Sequence, residues 1–386
     1  DKEKIKCYNV DYHIKHLALR EEQCPMHGYN NTNNAKNQDL DFIPLSDCYK
    51  GKHGEVKERP WKEKKMANEL LALAYDDVDT AKAARLRECG KFLTYRVYAD
   101  GTKHLDRMSS CRVRLCPICT WRRSLVNFAN NIAICRYVEQ QQPRGWLLCT
   151  FTLKRCSADQ LNSQIDRILY AYKKLMLNTR VKKAVKGSYR GVEITHDVDE
   201  YITPETMRRR GKTLKKQGLH IGDANPTFDT YHVHIHAIFS VNISYFKNNI
   251  YMNLADWTAA WQQAADVDYT PIVNVKRIKP DETGSIAGAV GEVSKYATKE
   301  NDIIVPHDWD LTVETVKVLD QALANRRFVS YGGELLKAKR ALSLQDADKA
   351  DLTHIGTDEP ESGETYKTVT YWWYSGYRQY GTRKEG

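Results

Sequence analysis

The segment YHVHIHAIFSV, residues 231–241, alternates polar and apolar side chains over its first half. Side chains of a β-strand point alternately to opposite faces, so His232, His234 and His236 would share one face. The apolar residues between them would face the other way, against helices. Three imidazoles in a row are a natural platform for a divalent metal ion. Solvated or hydrogen-bonded histidines would leave the same pattern, and that alternative stays open.

The order of predicted elements around this strand restricts the fold further. Periodicity predicts strands at 146–153, 189–196, 231–241 and 271–279. Predicted helices run from a capping box at Ser157 and Gln160 to about Lys186, over 254–265, and over 284–299. This β-α-β-β-α-β order predicts an α+β protein with a ferredoxin-like antiparallel sheet. Its third strand would be central and would pair with the second.

Glu193 is a candidate partner for these histidines. In GVEIT, Val192 and Ile194 would point to one face and Glu193 to the other. If the second and third strands pair, the carboxylate can lie beside the imidazoles. Two imidazoles, one carboxylate and open water positions suit Mg²⁺ or Mn²⁺ acting as a Lewis acid. An exposed strand carboxylate is the other interpretation, because the register cannot be read from the sequence.

The helix predicted at 284–299 carries Glu292, Tyr296 and Lys299. Spacings of four and three residues would put them on one helical face. A tyrosine near a metal is a candidate nucleophile, with Lys299 offsetting phosphate charge and Glu292 acting as a general base. The pattern E-x3-Y-x2-K is common in ordinary helices, so its weight comes from following the sheet with the histidines.

Four of the ten cysteines have the spacing C-x21-C-x4-C-x2-C, at Cys89, Cys111, Cys116 and Cys119. Bunched cysteines without a secretory-type opening segment favour metal over disulfides. Four thiolates around a short hairpin predict a closed structural Zn²⁺ site. The distant Cys89 competes with His104 for the place of fourth ligand.

Basic residues are clustered within an overall net charge of +10. Residues 173–190 hold seven Lys or Arg and no acid, and residues 207–216 hold six and no acid. Such runs favour a nucleic-acid partner, and a solvated helix face with a basic loop is the plainer interpretation. The candidate DNA contacts are Arg112, Arg114, Arg122, Arg123, Lys182, Lys183, Arg208, Arg209 and Arg210.

Composition and length exclude other classes of protein. Hydrophobic residues make up 41% of the 386 residues, which excludes wholesale disorder. No apolar run approaches the length of a membrane span. The expected parts are a flexible arm (1–55), a helical and zinc-binding region (56–140), a catalytic domain (141–340), and a linker with an aromatic tail (341–386).

Several segments resemble one known family. They are the cysteine block from CGKFLTYRVY to CPICTWRRS, TYHVHIHAIFSV, WQQAADVDYTPIVNVKRIK, EVSKYATK and YGGELLKAKRALSLQDADKADL. Together they resemble the rolling-circle replication initiators of small Gram-positive plasmids, a family of HUH endonucleases. The resemblance runs from about residue 55 to residue 353, and the insertion at 197–230 and the aromatic tail match least well.

The resemblance implies a specific chemistry. The metal pair falls on His234 and His236, with His232 as an extra histidine, and the catalytic tyrosine falls on Tyr296. Tyr296 would nick one strand at the plasmid's double-strand origin, remain joined to the 5′ phosphate and leave a 3′-OH primer. Glu292 would activate water for the final release.

The resemblance also implies partners. The substrate would be origin DNA, single-stranded at the nick in an extruded hairpin, in a bacterial cytoplasm. A host helicase and a DNA polymerase would act with the protein, and no membrane would be involved. The oligomeric state, with a dimer among the options, cannot be read from the sequence.

Three other functions fit parts of the sequence. A non-catalytic zinc DNA-binding protein would explain the charge and the cysteines but not the histidines with a downstream tyrosine. An HUH transposase or relaxase would share the chemistry. A metallohydrolase of small phosphoesters would not need the basic runs.

Overall fold

The computed structural model describes residues 42–50, 54–279, 286–294, 298–305, 307–355 and 365–383. Residues 1–41 and 51–53 of the predicted arm, and part of the predicted linker, lie outside these ranges. The chain divides into two compact units. The first unit contains the chain up to Arg122, Ile304–Lys317, and the part from Asp351 onward. The second unit contains Arg123–Ile303 and Val318–Ala350.

The elements of the described residues are numbered here in chain order. The strands are β1 (Phe42–Pro44), β2 (Cys48–Lys50), β3 (Val56–Glu58), β4 (Phe92–Tyr98), β5 (Lys103–Met108), β6 (Arg144–Thr152), β7 (Val185–Asp197), β8 (Thr230–Asn242), β9 (Val273–Ile278), β10 (Val329–Gly332), β11 (Tyr366–Tyr374) and β12 (Gln379–Arg383). The α-helices are α1 (Trp61–Tyr75), α2 (Thr80–Glu88), α3 (Pro117–Gln141), α4 (Leu161–Leu177), α5 (Thr179–Ala184), α6 (Pro204–Lys216), α7 (Leu254–Ala265), α8 (Ala287–Val293), α9 (Trp309–Leu323) and α10 (Gly333–Ala341). Short 3₁₀ segments cover Ile243–Lys247 and Glu300–Asp302.

The first unit contains an antiparallel sheet in the order β1-β12-β11-β4-β5. Leu93, Tyr95 and Tyr380 are buried on it. Asp47, also buried, accepts hydrogen bonds from Trp61 Nε1 and Tyr95 OH, each at 2.8 Å, which ties the start of α1 to the sheet. The β4–β5 hairpin lies between Cys89 and Cys111 in the chain.

The second unit contains an antiparallel sheet in the order β10-β7-β8-β6-β9. Its four main strands are connected in the order β6-α4-α5-β7-α6-β8-α7-β9, which is the predicted β-α-β-β-α-β order with α5 and α6 added. The second and third predicted strands, β7 and β8, pair over nearly their whole length. The α+β class predicted from the sequence is therefore confirmed.

One face of this sheet is buried against α4 and α7. Phe239 of β8 lies 5.7 Å from the Trp257 ring and 6.4 Å from the Tyr172 ring, measured between centroids. Phe151 of β6 lies 5.0 Å from Trp261. Val233, Ile235, Ala237 and Phe239 are all fully buried. The odd-numbered residues of β8 thus form the core that the alternation predicts.

The opposite face is divided along β8. Ile238, in the second half of the strand, packs in a cluster with residues of α3, α8 and α10, such as Ile134, Val290 and Leu335. The first half carries the even-numbered histidines on this same face. The apolar cluster therefore supports the sheet beside the histidines without covering them completely.

Three predictions about helices are corrected. The predicted helix at 284–299 is the shorter α8, Ala287–Val293, and Lys299 has an extended backbone with φ −108° and ψ 150°. The helix predicted from Ser157 begins at Leu161 without a side-chain cap. It does not run to Lys186, because Asn178 ends it and caps α5 by accepting from the Arg180 and Val181 amides.

No helix among the described residues combines the length and the apolar character needed to cross a membrane.

Candidate metal and DNA site

The pairing of β7 with β8 brings a carboxylate to the histidines. Glu193 lies directly opposite His234 in the register. Its Oε2 is 3.1 Å from His234 Nε2 and 2.9 Å from His236 Nε2. Glu193 is only 6% exposed, so it is not the exposed strand carboxylate of the alternative interpretation. These three side chains each offer a ligand atom, all within 4.8 Å of one another.

Lys299 holds the other oxygen of this carboxylate, with Nζ 2.9 Å from Glu193 Oε1. Burial alone would raise the pKa of Glu193, but the hydrogen bonds and charges of His234, His236 and Lys299 hold it well below its usual range. The pKa of Lys299 is raised, since the ion pair with Glu193 outweighs the effect of burial. Glu193 is therefore ionised and ready to bind a cation.

The donor set fits a divalent cation. Two imidazole nitrogens and one carboxylate oxygen converge from one sheet face, which suits Mn²⁺ or Mg²⁺ with further positions left for water or substrate. Thr150 of β6, opposite His236 in the register, places Oγ1 3.2 Å from His236 Nδ1 and orients that ring. Sequence analysis missed Thr150, although a polar residue within an apolar strand was a usable signal.

His232 stands apart from this group. Its ring lies 5.3 Å from that of His234, and it does not belong to the set of converging ligand atoms. Burial lowers the pKa of His232 to about 4, with the charge of His234 acting in the same direction. The structure therefore brings together the pair His234 and His236 and leaves the third histidine beside it.

The predicted catalytic residues after the sheet are only partly described. Tyr296 lies outside the described residues, with its neighbours Lys295 and Ala297. Glu292 is exposed near the end of α8. The prediction that Glu292 and Lys299 share one helical face is wrong, because the helix ends at Val293. Lys299 reaches the metal group from an extended segment instead.

Sequence analysis also missed Asp302, which follows in a 3₁₀ turn. Its Oδ2 is buried without a hydrogen-bond partner among the described residues. Burial raises the pKa of Asp302 to about 7, and the charge of Lys299 opposes this shift. An isolated aspartate in the segment KEND carries no sequence signal, because only the fold brings it near Glu193 and Asp197.

The four predicted cysteines form a second cluster, in the first unit. Cys89 Sγ lies 3.5 Å from Cys119 Sγ and 3.6 Å from Cys116 Sγ, and Cys111 Sγ lies 3.8 Å from Cys119 Sγ. All four are buried. His104 lies on β5 with its ring against Tyr98, so Cys89 is the residue that joins the other three sulfurs.

Backbone amides and a lysine surround these sulfurs. The amides of Cys111 and Arg112 lie 3.4 and 3.3 Å from the sulfurs of Cys89 and Cys119. Lys65, 2% exposed, donates to the carbonyl of Cys89 at 2.7 Å. Burial raises the pKa of the Cys116 thiol. The donor set and the nearby positive charge fit a tetrathiolate metal site.

The structure divides the candidate DNA contacts into buried, half-buried and exposed residues. Arg122 is buried, donates to the carbonyls of Leu352 and Thr353, and stacks over Trp61 and Trp121, so its assignment to a DNA surface is corrected. Arg123 is 11% exposed and lies 3.5 Å from Asp348. Arg114 and Arg210 are half-buried, whereas the exposed candidates are Arg112, Lys182, Lys183, Arg208 and Arg209.

Comparison with known proteins identifies the family. A family model described as Replication protein, Rep_1, matches residues 102–381. The chain belongs to this replication protein family. The match confirms the resemblance to plasmid replication initiators that the cysteine, histidine and tyrosine segments indicate.

Curated relatives agree over most of the chain. A "Protein rep" of Bacillus amyloliquefaciens is 31% identical over 347 residues, 84% of this chain and 94% of the relative. A "Protein rep" of Lactiplantibacillus plantarum is 31% identical over 321 residues, 82% of this chain and 92% of the relative. A "Replication protein" of Staphylococcus aureus is 25% identical over 243 residues, 62% of this chain and 91% of the relative. No solved structure matches the chain.

Proposed function

We propose that this initiator of plasmid replication nicks one strand of its origin through a covalent tyrosine intermediate, as rolling-circle replication requires. The observation that carries the proposal is the group of Glu193, His234 and His236, with Lys299 on the far carboxylate oxygen. The strand order β9-β6-β8-β7, with its β-α-β-β-α-β connections, supports a ferredoxin-like HUH nuclease domain around that group.

A divalent cation held by this group would act as a Lewis acid on the scissile phosphate. The oxygen of Tyr296 attacks phosphorus, and the bond from phosphorus to the 3′ oxygen breaks. The departing oxygen takes up a proton, which leaves a 3′-OH primer and a 5′-phosphotyrosine. Tyr296 lies three residues before Lys299 in the sequence, so the proposed nucleophile and the lysine that contacts Glu193 belong to one short segment.

Lys299 and Glu292 have separate roles in this proposal. Lys299, paired with Glu193, adds positive charge where the phosphate gains negative charge in the transition state. The exposed Glu292 helps to remove the tyrosine proton and later activates the water that replaces tyrosine at phosphorus. Hydrolysis or religation then ends the round of replication.

The cysteine cluster would hold structural Zn²⁺, and its region would contribute sequence-specific contacts to the origin. Exposed basic residues such as Arg112, Lys182 and Lys183 would bind backbone phosphates. The nicked strand would be unpaired in a hairpin. A host helicase and DNA polymerase would extend the 3′ end in the bacterial cytoplasm.

The substitution Tyr296→Phe tests the nucleophile. It removes the attacking oxygen and keeps the ring, so we expect no covalent adduct and nearly unchanged origin binding. The measurement is a denaturing gel of a labelled hairpin oligonucleotide from the plasmid's own origin, incubated with Mn²⁺. Tyr170→Phe, which removes the hydroxyl of an exposed tyrosine on α4, is the matched control and should form the adduct as the wild type does.

An adduct formed by the Phe variant would reject Tyr296 as the nucleophile. No cleavage by the wild-type protein would instead favour a non-catalytic zinc DNA-binding protein. Free cleaved product without any adduct would favour a metallohydrolase. A relaxase or transposase shares the adduct, and replication of a plasmid carrying the origin separates those functions.

A further inference from the structure

The segment between β7 and β8 is a structured lobe rather than a simple basic loop. It contains α6, which begins after Thr203, whose side chain accepts from the Thr206 amide. Backbone hydrogen bonds of 2.8 Å join Ile202 to Asp223 and Gly222 to Ile202. The basic run at 207–216 is therefore presented by a helix held at both ends.

Asp197 attaches this lobe to the strand of the metal group. It is the last residue of β7, four residues after Glu193, and is 5% exposed. Its carboxylate accepts from Arg210 Nη1 of α6 at 2.6 Å and from Asn225 Nδ2 at 3.1 Å. Arg155, which follows β6, lies 3.7 Å from the same carboxylate. The position of α6 is thus set by the end of the strand that carries Glu193.

The residues of α6 have distinct directions. Thr206, Arg210 and Leu214 recur every four residues and form the inner side, with Thr206 and Leu214 fully buried. At about 100° per residue, Arg209 and Lys216 lie about 20° apart on one exposed flank. Arg208, Lys212 and Lys215 lie on the outer side, opposite the buried residues.

Electrostatic contacts distinguish Arg209 from its neighbour. Arg209 lies within electrostatic range of Lys299, Asp302 and Arg155. Arg208 instead forms an exposed ion pair with Glu205, at a distance of 2.7 Å. Arg209 reaches the same Glu205 only at 3.7 Å, longer than a hydrogen bond, and its side chain is 52% exposed.

We propose that the flank of α6 formed by Arg209 and Lys216 binds backbone phosphates of the DNA strand at the nick site, with Arg209 nearest the scissile phosphate. The proposal rests on the proposed nicking function and names the surface that guides the strand to the metal group. Arg208, which the sequence made a candidate DNA contact, is not part of this surface. A guanidinium suits this task because it can donate two parallel hydrogen bonds to one phosphate.

The test compares Arg209→Ala with Arg208→Ala. Both changes remove one arginine from adjacent positions of one helix, and both remove a partner of Glu205. Binding of labelled oligothymidylate is measured by fluorescence anisotropy over a range of salt concentrations without divalent metal. Nicking of the origin hairpin with Mn²⁺ is measured separately, to give KM and kcat.

We expect Arg209→Ala to weaken oligothymidylate binding and to raise KM for nicking by about ten-fold. The slope of log K against log salt should fall by about 0.7, the value for one lost phosphate contact on a single strand. Arg208→Ala should stay within about two-fold of the wild type in both assays, because outer-face charges act weakly through solvent. Arg209→Lys should restore part of the loss, and thermal melting should be unchanged in all three variants.

Equal losses in the two alanine variants would overturn the proposal, because they would indicate a general effect of helix charge. Unchanged binding and unchanged KM in Arg209→Ala would overturn it as well. If the wild-type protein fails to nick the hairpin, the proposed function fails, while the oligothymidylate comparison still decides whether this flank binds DNA.

Discussion

At the scale of single residues, burial and neighbouring charges decide whether the carboxylates of the site are ionised. Glu193 is buried but ionised, because His234, His236 and Lys299 surround it. Asp302 is half-buried, and its buried Oδ2 has no hydrogen-bond partner among the described residues. Two acids near one lysine therefore differ in charge state because only one of them has close partners.

The substitution Asp302→Asn should flatten the dependence of stability on pH. Burial raises the pKa of Asp302 to about 7, while Lys299, Arg209, Glu193 and Asp197 also act on it. A raised folded-state pKa means that the folded protein binds this proton more tightly than the unfolded chain. The contribution is fully present below about pH 4 and is lost as the pH rises through 7.

Urea unfolding between about pH 4 and pH 8, without added Mn²⁺, measures this effect. Over that interval the free energy of unfolding of the wild type should fall by about 2 kcal/mol more than that of the Asn variant. This difference is smaller than the full pKa shift of Asp302 would give, because Asp302 is partly exposed and solvent weakens the effect. Parallel curves for the two proteins would contradict the prediction.

At the scale of elements, β8 contributes both to the core and to the candidate metal site, because its side chains point alternately to the two faces of the sheet. Its odd-numbered residues fill the core, with Val233, Ile235 and Ala237 at 0% exposure. Its even-numbered residues carry the imidazoles. The register with β7 then decides which imidazoles meet the carboxylate, and Glu193 lies opposite His234 while Thr195 lies opposite His232. A slip of one residue would turn Glu193 to the other face.

This register predicts different roles for two histidines of one strand. His234→Ala removes one of the proposed metal ligands and should weaken Mn²⁺ binding by at least about 100-fold, the upper end of what the loss of an outer partner of a ligand costs. His232→Ala is the matched control on the same face and should change Mn²⁺ affinity by less than about ten-fold. Calorimetric titration with Mn²⁺ and the Mn²⁺ dependence of nicking measure both. Greater sensitivity at His232 would show that the wrong pair has been chosen.

At the scale of the whole molecule, each compact unit contains, among its described residues, a cluster of side chains that could hold a metal ion. The first unit holds the four cysteines, and the second unit holds Glu193, His234 and His236. Four thiolates are typical of a closed structural site. Two imidazoles and a carboxylate with open positions are typical of a catalytic site. Loss of one metal should therefore affect one unit first.

Removal of zinc should unfold the first unit selectively. Purified protein should contain one Zn²⁺ per cysteine cluster by elemental analysis. A chelator should abolish amide hydrogen-exchange protection in α1, α2 and β4, while β6, β7 and β8 keep theirs, because a closed tetrathiolate site contributes directly to folding. The substitution Cys116→Ser should reproduce the effect without chelator, and Cys135→Ser, a buried cysteine of the second unit, is the control.

Two results would contradict this prediction. Protein purified without chelator that contains no zinc would reject the metal assignment. Equal loss of protection in both units would show that the cysteine cluster stabilises the whole chain rather than its own unit.

Local patterns were enough to predict many features of this protein. The alternation in 231–241, the helix at 254–265 and the C-x4-C-x2-C spacing depend on neighbours in the chain, where the strand and helix periods act. Other features depend on side chains that meet only after folding. They include the register that sets Glu193 against His234, the ion pair of Lys299, the burial of Arg122 and the end of α8 at Val293. The sequence does not distinguish a basic residue that faces solvent from one that contacts two tryptophan rings, as Arg122 does. Its burial is decided by distant segments that pack around it.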